Sequence, residues 1–124
     1  MVEAVANVRA IANAHQLYYL THGEYLGPSD MDKLDITIPG TIDNSFGSDR
    51  IKTNDFIYAP SDSEGIRLAV AQRVRSSSDA SRAVYFIHIT QTNPEKINCN
   101  VHLNGSANSI QKELCQQLNR TGVL

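Results

Sequence analysis

The chain of 124 residues has no tryptophan and only two cysteines. Two cysteines permit one bridge and exclude a disulfide-dense scaffold, and their spacing fits no zinc or redox motif. Charge is also sparse. Acidic and basic residues make up 19%, below the usual quarter, and the formal net charge is −2 with both signs scattered. No polybasic face results, so electrostatics gives little support to nucleic acid or anionic lipid as a partner. Long apolar runs are missing as well. The longest, Ala83 to Ile87, is five residues, far short of a membrane span. No pair of histidines has the close spacing of a metalloprotease helix, and the serines Ser76, Ser77 and Ser78 lie in no nucleophile-elbow context.

What remains is one domain's worth of chain with hydrophobic residues at 41%, enough for a single modest core. Residues 3–22 read as one amphipathic helix. Val5, Val8, Ile11, Ala12, His15, Tyr18 and Tyr19 recur at spacings of three and four, and Gly23 supplies a stop. The start is different. Val2-Glu3-Ala4-Val5 offers no capping residue although the apolar rhythm is already running, so the helix reads as the lower half of a longer one. Residues 24–54 hold two prolines and three glycines among Asp, Asn and Ser, a composition for turns and irregular chain. One helical turn fits inside it, capped by Ser29, with Met31 and Leu34 pointing inward.

Four strands follow. Phe56 to Ala59 is short and ends at Pro60. Ile66, Leu68 and Val70 alternate with Arg67, Ala69 and Ala71, which predicts one wet face. Ala83 to Ile89 is apolar on both sides and reads as central. Ile97, Cys99, Val101 and Leu103 alternate with polar neighbours. Short connections make an antiparallel meander the simplest topology. A terminal helix, capped by Asn108 or Ser109 and ended at Gly122, carries Ile110, Leu114 and Leu118 on one face. The long helix offers the only large apolar stripe with which to cover the sheet. The fold class is therefore α+β.

Cys99 falls on the inward set of the last strand and Cys115 beside the stripe of the terminal helix. That placement favours a bridge stapling helix to sheet edge over two reduced core thiols. The loop it would close, about sixteen residues, is worth ~3 kcal/mol in the chain-entropy model. Other clusters point less sharply. His15 lies on the apolar face and reads as a packing histidine. His88 and His102 lie on neighbouring strands and could face each other, but a third metal ligand is lacking. Asp30, Asp32 and Asp35 lack the glycine and terminal glutamate of a calcium loop and read as solvated turn carboxylates. Arg67, Arg73, Arg75 and Arg82 fall on one strand and the next loop, and read first as solvated arginines. Two tripeptides, Asn104-Gly105-Ser106 and Asn119-Arg120-Thr121, match the N-glycosylation pattern, which arises often by chance.

The segment Ala14-His15-Gln16-Leu17-Tyr18-Tyr19-Leu20-Thr21-His22-Gly23-Glu24-Tyr25 resembles the end of the first helix in bacterial type IV pilins and type II secretion pseudopilins, where paired tyrosines lead into a Gly-x-Tyr turn. Met31-Asp32-Lys33-Leu34-Asp35-Ile36 looks like the short turn and Leu-Asp-Ile of that family's αβ-loop. Ile97-Asn98-Cys99, followed by Ile110 to Cys115, resembles its C-terminal disulfide-bounded region. The resemblance implies a single pilin-like head over 1–124: the lower half of a spine helix (1–23), an αβ-loop (24–54), a four-stranded sheet (55–104) and a disulfide-bounded region (99–115).

It further implies a structural subunit of a type IV pilus, used for adhesion, motility or DNA uptake. The alternatives are a type II secretion pseudopilin or a minor tip subunit binding DNA or carbohydrate. Major pseudopilins commonly use calcium where pilins use a C-terminal disulfide, so the cysteines favour the pilin. No catalytic residue, cofactor or metal is expected. The expected partners are other subunits and the ATP-driven pilus or secretion assembly machinery. Membrane contact would come only through an apolar half-helix upstream of this sequence. Glu3 does not correspond to the family's assembly glutamate. The expected location is the inner membrane before assembly, then an extracellular or periplasmic filament.

Overall fold

The computed structural model describes residues 1–74, 83–102 and 107–124. Helix α1 runs from Val2 to His22 and stops at Gly23, whose left-handed backbone (φ 76°) lets its N–H donate to the Tyr19 carbonyl. No side chain caps its start at Met1. A single 3₁₀ turn, Met31–Lys33, follows. Its N-cap position is Asp30, not Ser29 as the sequence predicts. The Asp30 carboxylate accepts from the Gly27 N–H at 2.9 Å and pairs with Lys33. Met31 and Leu34 are buried, as expected.

Among the described residues the sheet has six strands where the sequence predicts four: β1 Thr41–Asp43, β2 Arg50–Lys52, β3 Phe56–Ala59, β4 Arg67–Val74, β5 Ala83–Thr90 and β6 Asn98–Val101. Every neighbouring pair is antiparallel and the order is sequential, so the meander is correct and the count is not. The two extra strands lie in the segment read as irregular. They are three residues each and largely polar, with Ile42 opposite Ile51 as their only apolar pair. At the mouth of this hairpin a side chain on Gly40 would run into the Lys52 carbonyl. Helix α2, Ser109–Thr121, closes the chain. Asn108 and Gln111 form a reciprocal capping box, and Gly122 ends the helix in a left-handed turn.

The core lies between α1 and one face of the sheet. Ala4, Val8, Ile11, Ala12 and His15 from the helix meet Phe56, Tyr58, Ala71, Tyr85, Ile87 and Ile89 from the strands. Each large aliphatic side chain buried here contributes roughly 1.5–3 kcal/mol gross. Val5 and Tyr18 are partly buried at the margin. Tyr19, predicted for this core, is on the surface at 39% exposure and stacks on Tyr25 at 4.0 Å. Its place on the helix lies just past the contact stripe, and a neighbouring ring covers it instead.

The predicted wet face of β4 is also absent. A register shift between Arg67 and Ala69 interrupts the alternation, so Leu68, Ala69 and Ala71 all join the main core. Val70 is buried on the far side, while Ile66 precedes the strand and is exposed. The far face is itself covered in part: Phe46, from the β1–β2 connection, packs on Ile57 and Val74. Arg50 lies over the Phe46 ring and donates to Gln72 at 2.7 Å and Ser48 at 2.9 Å.

Candidate assembly surface

Side chains on the inner stripe of α1 point into the core. The opposite side, half a turn away, carries Val2, Ala6, Ala10, Asn13, Leu17 and Leu20, all exposed. Val2 is 72%, Leu17 58% and Leu20 79% exposed. Two charges lie near this strip. Glu3 sits at its edge, and Arg9 donates to the Gly122 carbonyl at 2.9 Å. The helix is thus apolar on two opposite sides, a pattern that belongs to helices buried all round.

Two open grooves flank the strip. One, of about 610 Å³, lies between Ala10, Ala14, Leu17 and Tyr18 and the chain at Lys33, Asp35 and Ile36. The other, of about 460 Å³, lies between Val2, Val5, Ala6 and Arg9 and the chain end at Gly122, Val123 and Leu124. Both are lined mainly by carbon, and the larger also has Asn13, Thr21 and His22 at its margin.

At the far edge of the sheet, Cys99 and Cys115 form the disulfide, with Cα atoms 5.1 Å apart. Asn119 reinforces it. Its amide nitrogen donates to the Cys99 carbonyl and its oxygen accepts from the Cys99 N–H, both at 2.7 Å. One side chain therefore does what a neighbouring strand would do for that residue. The side-chain amide of Asn119 in the Asn119-Arg120-Thr121 tripeptide is thus engaged with Cys99, whereas Asn104-Gly105-Ser106 and Leu103 lie outside the described residues. Cys115 and Leu118 form the buried face of α2, and Leu114 is intermediate. Ile110, predicted for that face, is 69% exposed in the first turn, because the helix meets the sheet only further along.

His15 is completely buried and joins three elements. Its Nε2 accepts from the Leu26 N–H at 2.8 Å, and its Nδ1 lies 3.0 Å from the Leu68 carbonyl. Burial holds its pKa below the ordinary histidine value, against the opposing pull of the Leu68 and Pro60 carbonyls and of Asp30. Nearby, Asn7 donates to the Tyr58 hydroxyl at 3.1 Å, and burial pushes that phenol up to about 12.

The remaining candidates disperse. His88 lies opposite Asn98 and approaches Asn100 at 3.4 Å, while the His102 N–H bonds to Val84 further along, so the two histidines do not face each other. Burial and the nearby Arg67 lower the His88 pKa to about 4. Among the described residues no three His, Cys, Asp or Glu side chains converge as metal ligands. Arg67 pairs with Asp62 and Glu64 and lies over Phe86, whereas Arg73 pairs with Asp55 and lies over Phe56, on the opposite face of the sheet. Arg75 and Arg82 lie outside the described residues, as does the triple serine. Among the described residues no helix is long and apolar enough to cross a membrane. In comparisons with family models, characterised proteins and solved structures, nothing matches this chain.

The second apolar strip of α1 is the feature that sequence reasoning missed. Its signal was present in Ala6, Ala10, Leu17 and Leu20, which fall within a narrow arc at 100° per residue.

Proposed function

We propose that this domain is the head of a filament subunit of the type IV pilin kind, and that it assembles through the outward strip of α1. The observation that carries this reading is that α1 is apolar on two opposite sides while the described residues cover only one. Burying Val2, Leu17 and Leu20 against helices of neighbouring subunits would give the exposed strip the environment its composition calls for. A head-to-tail contact of this kind repeats without closing, which generates a helical array. The sheet and the cross-linked α2 would then form the outer shell. The disulfide favours a pilus subunit over a secretion pseudopilin.

The test is the protein sequence immediately upstream of Val2. A run of about twenty apolar residues continuous with α1 is the expected result, since only such a stretch can anchor the subunit and then fill a filament core. A polar linker or another globular domain at that place would end the proposal. In the full-length protein, cysteines introduced at Leu17 and Leu20 should cross-link between subunits, and one introduced at Ile11 should not.

A further inference from the structure

We propose that His15 is a proton-operated latch that holds the chain after α1 against the helix and the sheet. The argument begins with hydrogen-bond roles. Nε2 accepts the Leu26 N–H, so it carries no proton, and the ring's hydrogen is on Nδ1, where it donates to the Leu68 carbonyl. Only this neutral tautomer satisfies both partners. A second proton turns Nε2 into a donor that faces the Leu26 N–H, a donor too. The site then holds an unsolvated charge and a buried amide without an acceptor, and both penalties fall away if the loop at Leu26 moves off the helix.

The surroundings leave few other groups to take the proton. The loop contributes Tyr25, edge-on to the ring at 5.6 Å, and Asp30, whose charge favours protonation. From α1 comes Tyr19, stacked on Tyr25. β4 and its preceding turn present only the carbonyls of Leu68 and Pro60. Because burial lowers the folded-state pKa, the unfolded or opened chain binds more protons. The latch is therefore intact above the ordinary histidine value near 6.5 and weakens as pH falls below it. What moves is defined by the fold. Leu26, Met31 and Leu34 are the buried side chains of the released segment, and Lys33, Asp35 and Ile36 form one wall of the larger groove. The latch is read on the isolated domain in solution, so its test is independent of the filament proposal.

The experiment is an NMR titration from about pH 7.5 to about pH 4.5 that follows the His15 ring nitrogens and the exchange rate of the Leu26 amide. Expected is a neutral Nδ1–H ring at high pH and a loss of Leu26 protection of about tenfold or more, beyond the change in intrinsic rate, that begins below about pH 6.5 and is complete once the ring has taken its second proton. His15→Gln keeps a donor and an acceptor but cannot titrate, and should remove the step. His88→Gln, on the other face of the sheet, should leave it in place. The proposal is overturned if Leu26 stays protected after the ring has taken its second proton, if the step survives in His15→Gln, or if His88→Gln abolishes it. Should His15→Gln not fold, the wild-type titration decides alone: protection of Leu26 that falls only below about pH 6.5, as the ring gains its second proton, supports the latch, and protection that stays constant across that range, or falls equally above it, overturns it.

Discussion

The two helices are finished to different degrees. α2 is short, has a reciprocal capping box at one end and a left-handed glycine at the other, buries one side, and is bound to β6 by a disulfide and by Asn119. The capping box and the glycine turn close groups at the two helix ends, and Asn119 closes both main-chain groups of Cys99 at the sheet edge. α1 is longer and likewise ends in a left-handed glycine, but it makes no covalent tie and leaves a second apolar strip exposed. The contrast is that α2 buries one side and is tied down covalently, while α1 supplies the main core with one side and leaves apolar side chains exposed on the other.

Substitutions can sharpen or break this contrast. The largest effect should come from Ile11→Ala on the inner side of α1. Ile11 is fully buried, so truncation should cost about 2–5 kcal/mol in urea unfolding. A loss well below 1 kcal/mol would mean that α1 is only loosely seated. Replacing both cysteines with serine should cost ~3 kcal/mol and should raise hydrogen exchange in α2 well before it does so in α1. Asn119→Ala leaves both main-chain groups of Cys99 without their partner and should cost roughly 1–3 kcal/mol with the disulfide still formed. The smallest effect on the isolated domain should be that of Leu20→Ser, within about 0.5 kcal/mol of zero, because the side chain already stands in water. If that change destabilised the domain as much as Ile11→Ala, the outward strip would belong to the core and the contrast would collapse.

What could be read in advance follows the range of the forces involved. The caps of α2 are local: Asn108 and Gln111 are three residues apart, and Gly122 acts on its own turn. β3, β5 and β6 announce themselves by apolar runs or alternation, and the disulfide by the inward parity of Cys99. β1 and β2 gave no such signal. Thr41–Asp43 and Arg50–Lys52 are too short and too polar for a pattern, and they are strands because β2 pairs with β3 and β1 with β2. The register shift in β4 is likewise set by its neighbours, which is why strict alternation misplaced Ile66 and Ala69. For the candidate surface, the inner residues of α1 were legible but the outer ones were not. A count of spacings finds one stripe and stops, and Tyr19 was drawn into it although the stripe ends one residue short of it.

The bidentate grip of Asn119 on Cys99 has a practical consequence for making this protein. A host whose secretory pathway attaches oligosaccharide to Asn-x-Thr acts on the nascent chain, before the sheet edge exists. A glycan on that amide nitrogen would occupy the position that must reach the Cys99 carbonyl, so sugar and clasp exclude one another. Material from such a host would divide into an unmodified fraction and a glycosylated one whose terminal helix keeps its disulfide and its buried Leu118 but lacks the clasp on Cys99.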